Sequence, residues 1–250
     1  MVTCKNCKSE MKPEYKFCPS CGCPGKDKSN PFYWEKQSMR HRRKGKTQLA
    51  IDANIKYIEI DDKDSYAFKN LGDLYYYTGK IRLSIENYKK SIELKNDFAD
   101  TYYYLGISYY RAGQIKLAVE SLEQCLDLNP DFIIAYYWLG ITYYHRGDRT
   151  KAINAFEKLL EKNPESIIAN YHLGVNFSSV GEYERAIPYF EKVITASPDD
   201  EAVLYHLGLS YFRTGKFSEA VKMFRKSIEL NPEDNRSKKM LEFMLNVSEV

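Results

Sequence analysis

TYYYLGISYYRAGQIKLAVESLEQCLDLNP, residues 101–130, holds two short amphipathic segments on either side of Ala112-Gly113. In the first, Tyr102, Leu105, Gly106 and Tyr109 fall at i, i+3, i+4 and i+7, one face of an α-helix. In the second, Ala118, Leu122, Cys125 and Leu126 repeat that spacing, and Asn129-Pro130 stops it. Neither segment has enough apolar surface to be stable alone, so each requires a neighbour.

The neighbours come at a fixed step. Leu105-Gly106 recurs as Leu71-Gly72, Leu139-Gly140, Leu173-Gly174 and Leu207-Gly208, 34 residues apart each time. A turn glycine keeps the same interval at Gly79, Gly113, Gly147, Gly181 and Gly215. So does a small residue at Ser84, Ala118, Ala152, Ala186 and Ala220, followed by Tyr88, Leu122, Phe156, Phe190 and Phe224. Pro130, Pro164, Pro198 and Pro232 close four of the five units, and Asn96 stands in the first. The Leu-Gly glycine lets two helices approach, the bulky residue fills the volume beside it, and the turn glycine accepts a left-handed backbone. Pro188 lies near the start of its helix, where its ring crowds only the first turn.

This pattern resembles the tetratricopeptide repeat. The resemblance covers residues 65–234 as five units, 65–98, 99–132, 133–166, 167–200 and 201–234. It implies an all-α chain, a right-handed α-solenoid of helical hairpins whose concave face is lined by the first helices. Residues 31–64 read as a degenerate repeat in which Trp34, Ser38, Gly45 and Ala50 keep phase while Gln37, His41 and Asn54 do not. Residues 235–250 read as a capping helix, with Met240, Leu241, Met244 and Leu245 on one side.

Arrays of this kind hold peptides or partner helices in the concave face. Some clamp a terminal carboxylate with Lys, Asn and Arg; here Lys69 fits such a clamp, but Asp73, Tyr104, Ile134 and Trp138 do not. The face instead carries one ladder of Tyr103, Tyr137, Tyr171 and Tyr205, and another of Tyr76, Tyr110, Tyr144 and Phe212. The ninth place of the second to fifth units is aliphatic at Ile107, Ile141, Val175 and Leu209, beside Tyr104, Trp138, His172 and His206. These aliphatics lie off the packing face of Leu105 and Gly106, so they are expected to form an apolar-aromatic groove that captures a partner by side-chain burial. His172 and His206 lack a clear third ligand and read as groove polarity, and Cys125 as a buried, inert thiol.

A different chemistry opens the chain. Cys4-Lys5-Asn6-Cys7 and Cys18-Pro19-Ser20-Cys21 are two C-x2-C pairs separated by ten residues. Such pairs brought together by a hairpin give four thiolates for a tetrahedral zinc, with no open position for a substrate. Residues 1–25 resemble a short zinc ribbon, in which metal supplies most of the folding free energy; Cys23 stands just outside. The stretch 26–64 combines a Pro/Gly/Lys/Ser linker, the degenerate repeat and a basic segment, Arg40, Arg42, Arg43, Lys44 and Lys46 within 40–46.

Residues 1–46 carry twelve Lys/Arg against four Asp/Glu, so with a net charge of +3 overall the remainder is mildly acidic. A hydrophobic fraction of 44% excludes wholesale disorder. The polar start lacks the apolar core of a signal peptide, no segment is apolar enough to cross a membrane, and crowded cysteines suit a reducing, cytoplasmic compartment. Gly79-Lys80 and Gly215-Lys216 are inter-helix turns rather than phosphate loops, and no nucleophile–base constellation emerges, so an enzyme is not expected. Two functions stay open: a scaffold that binds a protein or peptide partner, or an adaptor whose basic zinc head contacts RNA or DNA while the repeats recruit protein.

Overall fold

The computed structural model describes residues 2–4, 8–12, 18, 20 and 28–247, which form thirteen α-helices and one short strand pair. The helices fall into two compact units, Met1–Asn129 and Pro130–Val250. The first begins with β1 (Val2–Thr3) antiparallel to β2 (Glu10–Met11), Val2 opposite Met11. Three hairpins follow: α1 (Pro31–Arg43) with α2 (Thr47–Ile60), α3 (Ser65–Tyr77) with α4 (Ile81–Leu94), and α5 (Ala99–Arg111) with α6 (Ile115–Leu128). The second unit pairs α7 (Ile133–Arg146) with α8 (Arg149–Lys162), α9 (Ile167–Ser179) with α10 (Tyr183–Ala196), and α11 (Glu201–Arg213) with α12 (Phe217–Leu230). It ends on α13 (Asn235–Val247), packed against α12. No helix of the described residues is long and apolar enough to cross a membrane.

Local chemistry sets the helix ends. Asp64, Ser166 and Asp200 stand before α3, α9 and α11, and each side chain accepts a backbone N–H from the first turn. The turn inside each hairpin passes through a glycine with positive φ, +73° at Gly113 and +89° at Gly147. Pro188 sits within a continuous α10, as its early position allows.

Within a hairpin, packing depends on a glycine meeting a bulky side chain, a ring in four repeats and Leu122 in the other. A Cβ on Gly140 would lie 2.6 Å from the tip of Phe156, which is fully buried, and one on Gly106 would lie 2.7 Å from Leu122. Burying such a side chain stabilises the fold by about 1.5–3 kcal/mol. The α1–α2 hairpin uses polar chemistry in those two slots. Ser38 donates to the carbonyl of Ala50 at 2.9 Å, and buried Asn54 donates to that of Ala67 at 2.7 Å, tying α2 to α3.

A line of small polar residues runs through the first helices. Ser108, Thr142, Asn176 and Ser210 each donate to the carbonyl four residues earlier, at Tyr104, Trp138, His172 and His206. All four are fully buried. The 34-residue pattern places them one residue beyond the aliphatic ninth position, and local backbone bonding gives each a partner inside, with Ser84 and Ser178 adding a second bond to Ser108 and Ser210.

Candidate functional site

The aromatic slot of one repeat faces the sixth residue of the next. Tyr88 stacks on Tyr104 with centroids 6.1 Å apart, Phe156 on His172 at 4.8 Å, and Phe190 on His206 at 5.7 Å. Tyr104, His172 and His206 therefore have one ring face committed to packing between hairpins, while each stays half-buried. Burial pushes the His172 imidazole down to about 4; burial and Arg236 lower that of His206, against Asp200. Both rings are neutral near pH 7, which lets them lie flat on phenylalanine.

In the second unit, the ladder and ninth-position residues frame these rings. Tyr137, Trp138, Ile141 and Tyr144 on α7 are half-buried, as are Tyr171 and Val175 on α9 and Tyr205, Leu209 and Phe212 on α11. Tyr137 reaches His172 at 5.7 Å, and Tyr205 reaches Phe224 at 6.0 Å. Cations steady the rings: the Arg236 guanidinium lies 4.8 Å from Tyr205 and that of Arg149 3.8 Å from Tyr144. Position twelve of the fourth repeat breaks its ladder with Ser178, which bonds Ser210 at 3.2 Å.

The first unit carries the same slots with other contents. Tyr103, Tyr104 and Tyr110 on α5 are half-buried, but Ile107 is 3% exposed and belongs to the core instead of a binding face. In α3, Lys69 and Asp73 occupy the places of Tyr103 and Ile107. Lys69 lies 3.5 Å from Asp73 and 3.0 Å from Asp100, and Tyr88 donates to Asp73 at 2.8 Å. Burial opposes the Lys69 charge, yet Asp73 and Asp100 more than offset it and hold the ammonium above its ordinary range. This ion cluster lies outside the sequence expectation for Lys69, which concerns only a carboxylate clamp. The signal was there: two opposite charges four residues apart on a helix, in slots filled by Tyr and Ile one repeat later.

Other candidates stand as follows. Burial pushes the Cys125 thiol up to about 12, as befits an inert core sulfur. Arg40, Arg42 and Arg43 are exposed in the last turn of α1, where they complement the helix dipole, and Arg42 lies over Tyr77 at 5.6 Å. Lys44 and Lys46 are exposed in the turn that follows. Of the cysteine head, Cys4 and Cys18 are buried, while Cys7, Cys21 and Cys23 lie outside the described residues. The Lys8 amide donates to the Cys4 carbonyl at 2.7 Å, the Cys4 amide to that of Ser9 at 2.8 Å, and Lys8 has φ +63°.

Tetratricopeptide repeat family models match residues 103–167, 167–200 and 202–234, and a TPR repeat model matches 72–113. No curated protein matches the chain. Among solved structures, MamA is 30% identical with a TM-score of 0.63, covering 64% of this chain and 94% of its own. YrrB, described as a TPR protein with an unusual peptide-binding site, is 21% identical with a TM-score of 0.71, over 77% of this chain and 99% of its own. PilF of Pseudomonas aeruginosa is 17% identical with a TM-score of 0.66, over 86% and 97%.

Proposed function

The chain belongs to the tetratricopeptide repeat family, and from that premise we propose that it is a scaffold, not an enzyme, that binds a peptide or helix of a partner protein on its first helices. The carrying observation is the run of half-buried aromatic and aliphatic side chains on α7, α9 and α11. A side chain that is half-buried in the free protein still has apolar area to remove from water, about 25 cal/mol per Å². Ile141, Val175 and Leu209 supply that area, and Trp138 and the tyrosines supply rigid anchors of the kind that dominate interfaces. In the first unit, Tyr103, Tyr104 and Tyr110 offer the same chemistry beside the Lys69 cluster. The likeness to YrrB, whose description names a peptide-binding site, supports the same class of ligand.

The test is affinity capture by the full chain and by an Ile141→Asn, Leu209→Asn variant, with melting temperatures measured alongside. Loss of a captured partner at an unchanged melting temperature supports the reading; retained capture overturns it.

The cysteine head is proposed as a structural zinc site of Cys4, Cys7, Cys18 and Cys21. Burial of Cys4 and Cys18 together with the Lys8 amide bonded to the Cys4 carbonyl fits such a role. Four thiolates would close the coordination sphere and hold the head folded in a reducing, cytoplasmic setting. Elemental analysis of the purified chain should give one zinc, lost on Cys4→Ser with Cys18→Ser; a metal-free wild-type protein would contradict it.

A further inference from the structure

The helix α13 stands one 34-residue step after α11, with Leu241 and Leu245 in the places of Leu207 and Tyr211. Its seat on α12 is fixed by polar contacts. Ser237 donates to Asp234 at 2.7 Å and lies 3.0 Å from the Ser227 hydroxyl, which reaches Asp234 at 3.2 Å, and Asp234 also accepts from Arg236. Met244 is buried by this docking, but Phe243 is 54% and Phe217 57% exposed. The sequence suggested a helix that covers the apolar edge of the last repeat; α13 covers only part of it.

What it leaves is a cavity of about 600 Å³. Phe212 at the end of α11, Phe217 and Val221 of α12, and Met244 and Leu245 of α13 give it an apolar lining, and the exposed Lys222 and Arg225 stand beside them. Among the described residues, neither rim cation has an acidic partner. An apolar floor with a few polar groups, at a volume between roughly 300 and 1,000 Å³, is the usual form of a binding site. A short stripe of anchors spaced as on an amphipathic helix suits an open groove between two helices.

Charge selects the occupant. A second copy presenting α1 would bring Lys36, Arg40, Arg42 and Arg43 against Lys222 and Arg225, with Glu35 as its one acid. Like charges there oppose docking. We propose that this cavity is a second docking site, which meets the first-helix face only at Phe212, and that it takes an amphipathic partner helix whose apolar stripe is flanked by Asp or Glu. The chain already contains such a helix in miniature: α6, IKLAVESLEQCLDL, has one lysine against three acids and packs its Ala118 and Leu122 side on α5.

That segment supplies the probe. A fluorescein-labelled synthetic peptide of residues 115–128 with Cys125→Ser is titrated with the full chain and read by anisotropy, beside a second peptide with Glu120→Lys and Glu123→Lys. The acidic peptide should bind, and the basic one should bind at least about tenfold more weakly. Reversing the exposed rim with Lys222→Glu and Arg225→Glu should exchange that preference, and Val221→Asp should weaken both at an unchanged melting temperature. The Ile141→Asn, Leu209→Asn variant should bind the acidic peptide as the wild type does. Loss of binding in that variant would move the peptide to the first-helix face and sink this proposal while leaving the scaffold reading intact. No binding of the acidic peptide at about 1 mM, a weak contact of some 4 kcal/mol, or indifference to rim reversal also overturns it. So does a dimer in sedimentation velocity that Val221→Asp dissolves, because the occupant would then be a second copy.

Discussion

The third and ninth helices occupy equivalent places in their repeats but solve the same packing problem with opposite chemistry. On α3, Lys69 and Asp73 form a buried ion pair that Asp100 and Tyr88 complete. On α9, the matching residues are Tyr171 and Val175, and the neighbouring His172 lies neutral against Phe156. The frame around both is the same: a glycine under a ring, a turn glycine and a capped first helix. The repeat therefore specifies where side chains stand, and each unit decides separately what they do. A buried ion pair tolerates little change in either partner, whereas an aromatic and aliphatic surface can accept varied apolar ligands.

Removing the shared frame should have the largest effect. Phe156→Ala takes away a fully buried ring and should cost about 3–5 kcal/mol in chemical denaturation. A loss below about 1 kcal/mol would mean that the ring is not the support assigned to it.

The next effect separates the two chemistries. Lys69→Tyr alone leaves Asp73 buried beside Tyr88 and should cost about 2–4 kcal/mol. Lys69→Tyr with Asp73→Ile and Tyr88→Phe rewrites the slots in the manner of the later repeats, and should return to within about 1 kcal/mol of the wild type. If the triple variant is less stable than the single one, the two regions are not interchangeable solutions.

A smaller effect reads the neutral histidine. The folded-state pKa of His172 is about 4, below its ordinary 6.5, so the unfolded chain binds the proton first as pH falls. Its contribution is complete above pH 6.5 and is lost as pH drops through that window toward 4, by about 1–2 kcal/mol after allowance for partial exposure. His172→Phe keeps the stack on Phe156 and beside Tyr137 but should flatten this part of the stability–pH curve. An unchanged curve would place the titration elsewhere.

The smallest effect should be equal in both regions. Gly79→Ala and Gly181→Ala each place a side chain at positive φ in an open turn, and each should cost about 1 kcal/mol. Unequal losses would show that the frames differ as well as the faces.

The hairpins were legible because their requirements are local and recur: Gly140 faces Phe156 for the same reason that Gly174 faces Phe190, and a 34-residue count finds both. The face was legible only in part. Ile107, Ile141, Val175 and Leu209 share one slot, yet Ile107 is buried and the others are half-buried, because the slot does not encode the bulk of side chains around it. The Lys69–Asp73–Asp100 cluster depends on a residue from the next repeat, a contact that no helical periodicity announces. Asn54 stands in an aromatic slot because it bonds the Ala67 carbonyl of the next helix, a partner that the repeat spacing does not reveal. The cavity beside α13 depends on how far one helix covers another, and side-chain pattern leaves that open.

The central claim is that a partner lies on the first-helix face of the second unit. Site-specific photo-crosslinking tests it directly, with a crosslinking amino acid placed at Val175 on α9 or at Lys192, exposed on the second helix α10. The account predicts a discrete partner adduct from position 175 and none from position 192. Adducts from position 192 alone would contradict it.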